Sequence, residues 1–213
     1  MDIMLIRHGK TAGNAQKRYV GRTDEPLSAE GKKELVQAPH FADVQAVYVS
    51  PMRRCMETAD MLFPDIEKIV ENDFRECDFG LFEYKNYMEL REDACYQKWI
   101  DSGGTLPFPG GESRSAFQKR CAGAFCAAVL DAQKKGLEQI ACVVHGGTIM
   151  SILDEYARQE GSYYDFQVKN GDGYVVRPSC AINTEHMIDF GVSICYSIKQ
   201  GKRLPYKCTA KEV

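Results

Sequence analysis

Residues 3–9 read IMLIRHG, and the way this run stops decides the fold. Ile3, Met4, Leu5 and Ile6 show no polar alternation, as a strand buried on both faces requires, and Arg7, His8 and Gly9 then cut the run short. Two further stretches repeat the arrangement. AVYVSP at 46–51 closes on Ser50 and Pro51, and IACVVHGGT at 140–148 closes on His145, Gly146 and Gly147. Residues 68–70 (KIV) supply a shorter strand between them. Apolar runs alternating with longer helical patterns mark an α/β layered domain. Ligands of open parallel sheets bind beyond the carboxyl ends of the strands, so three polar strand ends predict one shared crevice.

The helix after 46–49 is expected to open with Ser50 as its N-cap and Pro51 in its first position, and to stop at Pro64. Met52, Cys55, Met56, Ala59, Leu62 and Phe63 form its apolar stripe, while Arg53 and Glu57 pair at i, i+4 in solvent. Arg54 lies on the flank in the first turn. Helical side chains lean toward the N-terminus, so Arg54 rather than Arg53 is the candidate to reach the crevice. Phe117, Cys121, Ala124, Phe125 and Ala128 give a second stripe ended by Gly136, and residues 148–160 a third before Gly161.

Residues 78–113 depart from this pattern. Phe79, Phe82, Tyr84, Tyr87, Tyr96 and Trp99 crowd a charged stretch that runs into the turn-rich GGTLPFPGG. The segment reads as a helical excursion plus a loop, either capping the crevice or serving as an ordinary crossover. The chain is otherwise taken as a single domain over residues 1–213. Asn170-Gly171 and Gly173 mark a turn before a strand at 174–176, and 193–198 reads as an edge strand.

Composition narrows the partners. A chain of 213 residues with 44% hydrophobic and 27% charged residues is globular, not disordered or fibrous. Its 27 basic against 30 acidic residues give a net charge of −3, which argues against a nucleic-acid or anionic-membrane surface. No apolar run approaches the roughly 18 residues of a membrane span, and Asp2 stands where an export signal carries positive charge. The nine cysteines are odd in number and contain no CxxC pair, as expected of reduced thiols in a cytoplasmic protein. His40 and His186 have no cysteine or histidine at ligand spacing, so no metal and no cofactor are expected.

A strand-end histidine beside a glycine and a helix start suits an anion. Free backbone N–H groups, the positive end of the helix and an arginine all favour phosphate there, and a neutral imidazole facing it can attack phosphorus. His8 and His145 end two strands in this way, with Arg7 and Arg54 nearby. Each residue taken singly also has an ordinary reading as a polar residue at the rim of a sheet.

The sequence RHGKTAGN at 7–14 resembles the signature of the histidine phosphatase superfamily, the phosphoglycerate-mutase-like enzymes that work through phosphohistidine. Four further blocks match in order. GRTDEPLSAEGKKEL (21–35) looks like the second block of the family, SPMRRCMETA (50–59) its SPLxRAxxTA helix, RECDFGLFE (75–83) its catalytic-acid segment, and VVHGGT (143–148) its late histidine strand. The resemblance covers about residues 1–150. It implies a three-layer α/β/α sandwich with a mostly parallel central sheet and a small helical or loop cap over the C-terminal ends of the strands. It further implies that His8 is the nucleophile, that Arg7, Arg54 and His145 cradle the phosphate, and that Glu76 is the proton donor. Asn14, Gly21 and Gly146 are carried over as phosphate-binding positions, although Asn14 may equally just turn the chain after Gly13. Such enzymes need no metal, and the expected partner is a small phosphorylated metabolite. Oligomeric state is not legible.

A mutase must hold a second anion, yet DSGGTLPFPGGES (101–113) contains no cation and PGGES resembles the phosphatase branch, so hydrolysis leads phosphotransfer. Lys85, Arg91 and Lys98 in the excursion weigh the other way. FGLFEYKNYMELREDACYQKW (79–99) is similar to the α-ribazole phosphatases of the cobalamin pathway, with Phe82 in place of the usual Trp and Tyr84 in place of Gly. The aromatic residues of this segment suit a flat benzimidazole nucleoside or, equally, the core of the excursion. A non-catalytic binder of phosphorylated ligands is the reading from another class.

Overall fold

The computed structural model describes residues 1–37, 43–178 and 190–197. His40, Cys180, His186, Ile198 and Cys208 lie outside the described residues. In chain order the elements are β1 (Asp2–Arg7), α1 (Ala12–Ala15), α2 (Ala29–Val36), β2 (Ala46–Val49), α3 (Arg53–Leu62), β3 (Lys68–Val70), α4 (Tyr87–Leu90), α5 (Ala94–Asp101), α6 (Arg114–Lys134), β4 (Gln139–Val144), α7 (Gly146–Tyr156), β5 (Gly173–Pro178) and β6 (Val192–Ser197). Single 3₁₀ turns occupy Asn72–Phe74, Gly80–Phe82 and Tyr163–Phe166. The six strands form one sheet in the order β3-β2-β4-β1-β5-β6. The first four are parallel, and β5 and β6 complete the sheet antiparallel.

Helices cover both faces, which is why the central strands are apolar without alternation. Odd and even side chains go to opposite layers. Ile3, Leu5, Ile140 and Cys142 pack with Phe125, Val129 and Ile152 of α6 and α7, whereas Met4, Ile6, Ala141 and Val143 pack with Cys55, Ala59 and Phe63 on the α3 side. The result is the expected α/β/α sandwich. Register then sets the site. Arg7 stands opposite Val144, and Val49 opposite Val143, so His8, His145 and Ser50 leave the sheet side by side.

Two helix boundaries differ from the sequence expectation. α3 begins at Arg53 with Met52 as a cap that makes no side-chain bond. Ser50 does not cap it: its hydroxyl lies 2.8 Å from Nε2 of His145 and accepts only a long bond of 3.4 Å from Met52 N–H, ahead of the helix, and Ser50, as the residue before a proline, is biased toward extended backbone. α7 runs from Gly146 to Tyr156 and ends well before Gly161. Ala157 turns extended, and Ala157 and Arg158 bridge to Val192, so pairing with β6 draws the chain out of the helix. The α6 expectation holds: all five residues of its stripe are buried, and Gly136 follows its end at φ +67°.

The excursion packs its own small core. Phe82, Leu90, Tyr96 and Phe108 are buried with Phe117 and Cys121 of α6. Tyr96 stacks on Trp99 at 6.0 Å, and Tyr19 joins from the loop after α1, its hydroxyl 3.0 Å from that of Tyr96. No helix among the described residues is long and apolar enough to cross a membrane.

Candidate active site

A cavity of about 310 Å³ opens beyond the ends of β1 and β4. Arg7, His8, Asn14, Glu76 and Gly147 line it together with aromatic residues from four parts of the chain: Tyr19; Phe79, Trp99 and Phe108 of the excursion; Phe117 of α6; and Tyr163 and Tyr164. The rings of the excursion therefore serve both its core and the wall of the cavity.

His8 is 3% exposed, and its Nδ1 lies 2.7 Å from the carbonyl oxygen of Gly9. A carbonyl can only accept, so Nδ1 carries the proton and Nε2 keeps its lone pair. Gly9 is held in turn by its N–H, which donates to Thr58 Oγ1 at 2.9 Å. Burial, then the charges of Arg54 and Arg7, hold the His8 pKa well below the ordinary imidazole value. The same causes, burial foremost, depress His145, whose ring lies edge-on to His8 at 5.2 Å. Both imidazoles thus feel the charge of both guanidinium groups, which favours their neutral form.

Arg54 has no exposed surface. It does not ride on the helix flank but turns under the loop after α1, donating from Nη1 to Thr23 O at 2.9 Å and from Nη2 to Val20 O and Gly21 O at 3.2 and 2.9 Å. Arg7 donates from Nη1 to Val168 O at 2.7 Å. The Nε of each arginine is buried without a hydrogen-bond partner among the described residues, which costs about 1–3 kcal/mol per group unless an acceptor meets it.

Glu76 is held by two backbone donors, Cys77 N–H at 2.9 Å and Gly147 N–H at 3.4 Å. Burial raises its pKa above the usual carboxylate value, against these bonds and the two arginines, which pull it down. That is the condition for a carboxylic acid that keeps its proton in weak acid. Gly147 permits the approach, since a Cβ there would come within 2.5 Å of Glu76 Oε1.

The other carried-over positions fall in different places. Asn14 lines the cavity. Gly146 lies against Arg7, a Cβ there coming 3.3 Å from the guanidinium carbon. Gly21 is not a lining residue. Its carbonyl orients Arg54, and a Cβ would meet Cys77 O at 2.1 Å. Arg54 and His145 are likewise not among the lining residues; both sit fully buried behind the wall.

Several residues of the site carried no role in the sequence reading. Glu83 lies inside the quoted 75–83 block and accepts from Gly21 N, Thr23 N and Thr23 Oγ1 at 2.8–3.0 Å, holding the loop whose carbonyls bind Arg54. Arg18 and Arg114 line the cavity as cations, whereas Lys85, Arg91 and Lys98 do not. Arg18 is tied to Glu89 at 2.7 Å. Arg114 makes no hydrogen bond among the described residues. Its guanidinium sits 4.0 Å over the Tyr163 ring, with Asp154 at 3.9 Å. The cation-free window of 101–113 ends one residue short of it. Among the described residues, no three His, Cys, Asp or Glu side chains gather as a metal site.

The model of the histidine phosphatase superfamily, branch 1, matches residues 3–179. The chain belongs to this superfamily. Among histidine phosphatase relatives, a phosphoglycerate mutase-like protein of Arabidopsis thaliana is 29% identical over 164 residues, 72% of this chain and 70% of that one. A broad-specificity phosphatase of Saccharomyces cerevisiae is 27% identical over 158 residues, 71% and 68% of the two chains. Longer mycobacterial relatives are spanned over only 40% of their length. In fold, a putative α-ribazole-5′-phosphate phosphatase from Escherichia coli superposes with a TM-score of 0.73 over 91% of this chain and 94% of its own, at 23% identity. Membership in the superfamily supports phosphatase or mutase chemistry on a phosphorylated small molecule.

Proposed function

We propose that the protein is a phosphomonoester hydrolase that works through a phosphohistidine at His8. The observation that carries this reading is the His8 tautomer: Nδ1 is committed to Gly9 O, which leaves Nε2 as a neutral nucleophile beside Arg7 in the cavity. Nε2 attacks phosphorus, the ester P–O bond breaks, and the leaving oxygen takes the proton of Glu76. Water then attacks phosphorus and gives a proton to Glu76 as the P–N bond breaks, releasing phosphate and restoring both groups. Arg7 and Arg54 would supply fixed positive charge, and His145 a neutral polar contact, toward the phosphoryl oxygens, a task that needs no metal in this reading. Phe79, Trp99, Phe108 and Tyr164 would face the leaving group, and a flat nucleoside phosphate such as α-ribazole phosphate is the substrate they suit.

A second reading is a mutase-type phosphotransferase. It is favoured by Arg114, a cavity cation with no hydrogen bond of its own among the described residues, which could take a second anion of the substrate. One experiment separates these. The protein is incubated with a panel of phosphomonoesters that includes α-ribazole phosphate and phosphoglycerate, quenched in base during turnover, and digested for mass spectrometry. Hydrolysis with an acid-labile phosphoryl group on His8 is expected. Isomerisation of phosphoglycerate outrunning phosphate release would favour the mutase. Phosphate binding with no turnover would leave a binder.

A further inference from the structure

The sequence pattern gives Asn170 no task beyond starting a turn. We propose that Asn170 is a positioning residue that fixes which end of the Asn14 side-chain amide faces the cavity, and so which group meets the phosphoryl oxygens. The inference rests on the reading of this cavity as the phosphate site. It comes from a chain of bonds whose polarity is set at both ends by backbone groups. Oδ1 of Asn14 accepts from Thr11 N–H at 3.2 Å and from Asn170 Nδ2 at 3.0 Å. The same Nδ2 donates to the carbonyl oxygen of His8 at 3.2 Å. A backbone N–H can only donate and a carbonyl only accept, so the atom of Asn14 facing Thr11 must be oxygen and the atom of Asn170 facing His8 must be nitrogen. With its oxygen engaged twice, Asn14 keeps its N–H donors for the cavity that it lines.

The backbone around both residues is also held by bonds that do not use these side chains. Asn14 N–H donates to Thr11 Oγ1 at 3.2 Å as part of a capping box. Gly171 N–H donates to Arg7 O and His8 O at 3.0 and 3.1 Å, and Arg7 N–H to Asp172 O at 2.9 Å. A change in the Asn170 side chain therefore leaves the segment tied to β1. Asn170→Asp keeps the shape, removes the donor and offers Asn14 an acceptor instead. The Asn14 amide is then pulled to turn its nitrogen toward residue 170, giving up its bond from Thr11 N–H and presenting its oxygen to phosphate.

The test is a double-mutant cycle on wild type, Asn170→Asp, Asn14→Ala and the double variant. It is read by kcat/KM for p-nitrophenyl phosphate and by the affinity for inorganic phosphate from calorimetry, with melting temperature as the control for folding. Asn170→Asp is expected to weaken both about tenfold in the wild-type background, the size of one hydrogen bond to a charged group, and less than about twofold once Asn14 is alanine. Asn170→Ala, which adds no charge, should weaken both in the same direction and with the same dependence on Asn14. Equal losses in the two backgrounds, or no loss in either, would overturn the proposal while leaving the hydrolase reading intact. Wild type that binds phosphate without turning over any ester would sink that reading instead, and the cycle would still be decided on binding.

Discussion

The hydroxyl of Ser50 stands 2.8 Å from Nε2 of His145, and neither residue has exposed surface. The end of one strand thus orients the histidine at the end of another, and the helix that follows Ser50 begins without a side-chain cap. Ser50→Ala removes the nearest hydrogen-bond partner of a buried imidazole, leaving the Cys55 thiol at 3.6 Å. It is expected to lower kcat/KM about tenfold and to destabilise the fold by about 1–3 kcal/mol, read by steady-state kinetics and urea denaturation. Had the hydroxyl served only as a helix cap, stability would drop and kcat would stay.

The pH dependence follows from opposed shifts. His8 acts as a nucleophile only when neutral, and its pKa lies well below the ordinary imidazole value, so activity should persist below pH 6.5. Glu76 acts as a donor only while protonated, and its pKa is raised above 4.5, so kcat/KM should fall as pH rises through that raised value. The optimum is expected on the acid side of neutrality. Stability has its own signature. His8 and His145 take up protons more readily unfolded than folded, so their contribution is intact above about pH 6.5 and is lost as pH falls below it, at up to about 1.4 kcal/mol per pH unit for each. Glu76 acts in the opposite sense and favours the folded state less as pH rises from 4.5 through its raised pKa. Urea titrations from pH 7.5 to 5, compared with His8→Asn, check the histidine slope.

Much of this was legible because it depends on strand ends. A run such as IMLIRHG announces both a doubly covered strand and the polar residues that leave it, and register does the rest. Arg54 could be picked over Arg53 from helix phase, but its three carbonyl acceptors belong to a loop 31 to 34 residues away, which no local pattern encodes. Glu83 and Asn170 carry no local signal for the same reason: their partners are distant in sequence, and a lone Glu or Asn carries no periodicity. The early end of α7 and the late start of α3 depart from the local helix signals because long-range demands, pairing with Val192 and the bond to His145, outweigh them.

Arg54 and Arg53 are adjacent in sequence and differ in every relevant respect. Arg54 is fully buried on three carbonyls, whereas Arg53 is exposed and pairs with Glu57 at 2.8 Å. A lysine cannot offer a planar fork to three carbonyls and an anion at once. Arg54→Lys is expected to cost about 10²-fold in kcat, the scale for losing one fixed donor to developing charge. Arg53→Ala should change it by less than about twofold, as surface pairs contribute little. The reverse ranking in a kinetic comparison would place the functional guanidinium on the wrong residue.

Gly147 leaves room for Glu76, since a Cβ there would stand 2.5 Å from Oε1 and 3.0 Å from the Phe117 ring. Gly147→Ala should push the carboxyl out of line without touching His8. The damage should then depend on the leaving group: p-nitrophenolate departs without a proton, an alkoxide does not. Loss of about tenfold or more is expected for alkyl phosphates and distinctly less for p-nitrophenyl phosphate. Equal losses across a series of leaving groups would mean that Glu76 is not the proton donor.

Arg114 bears on what lies beyond the phosphate. It reaches the cavity from the start of α6, stacked on Tyr163 and 3.9 Å from Asp154, which Gln118 holds at 2.9 Å. A guanidinium in that position, with no hydrogen bond of its own among the described residues, gains most from a substrate with a second anionic group. Arg114→Leu is expected to lower kcat/KM about tenfold for phosphomonoesters that carry a carboxylate or second phosphate. It should change p-nitrophenyl phosphate turnover by no more than about twofold, since a half-buried rim cation adds little where no anion meets it. If neutral and anionic substrates lose equally, Arg114 supports the Tyr163 wall and does not read the substrate.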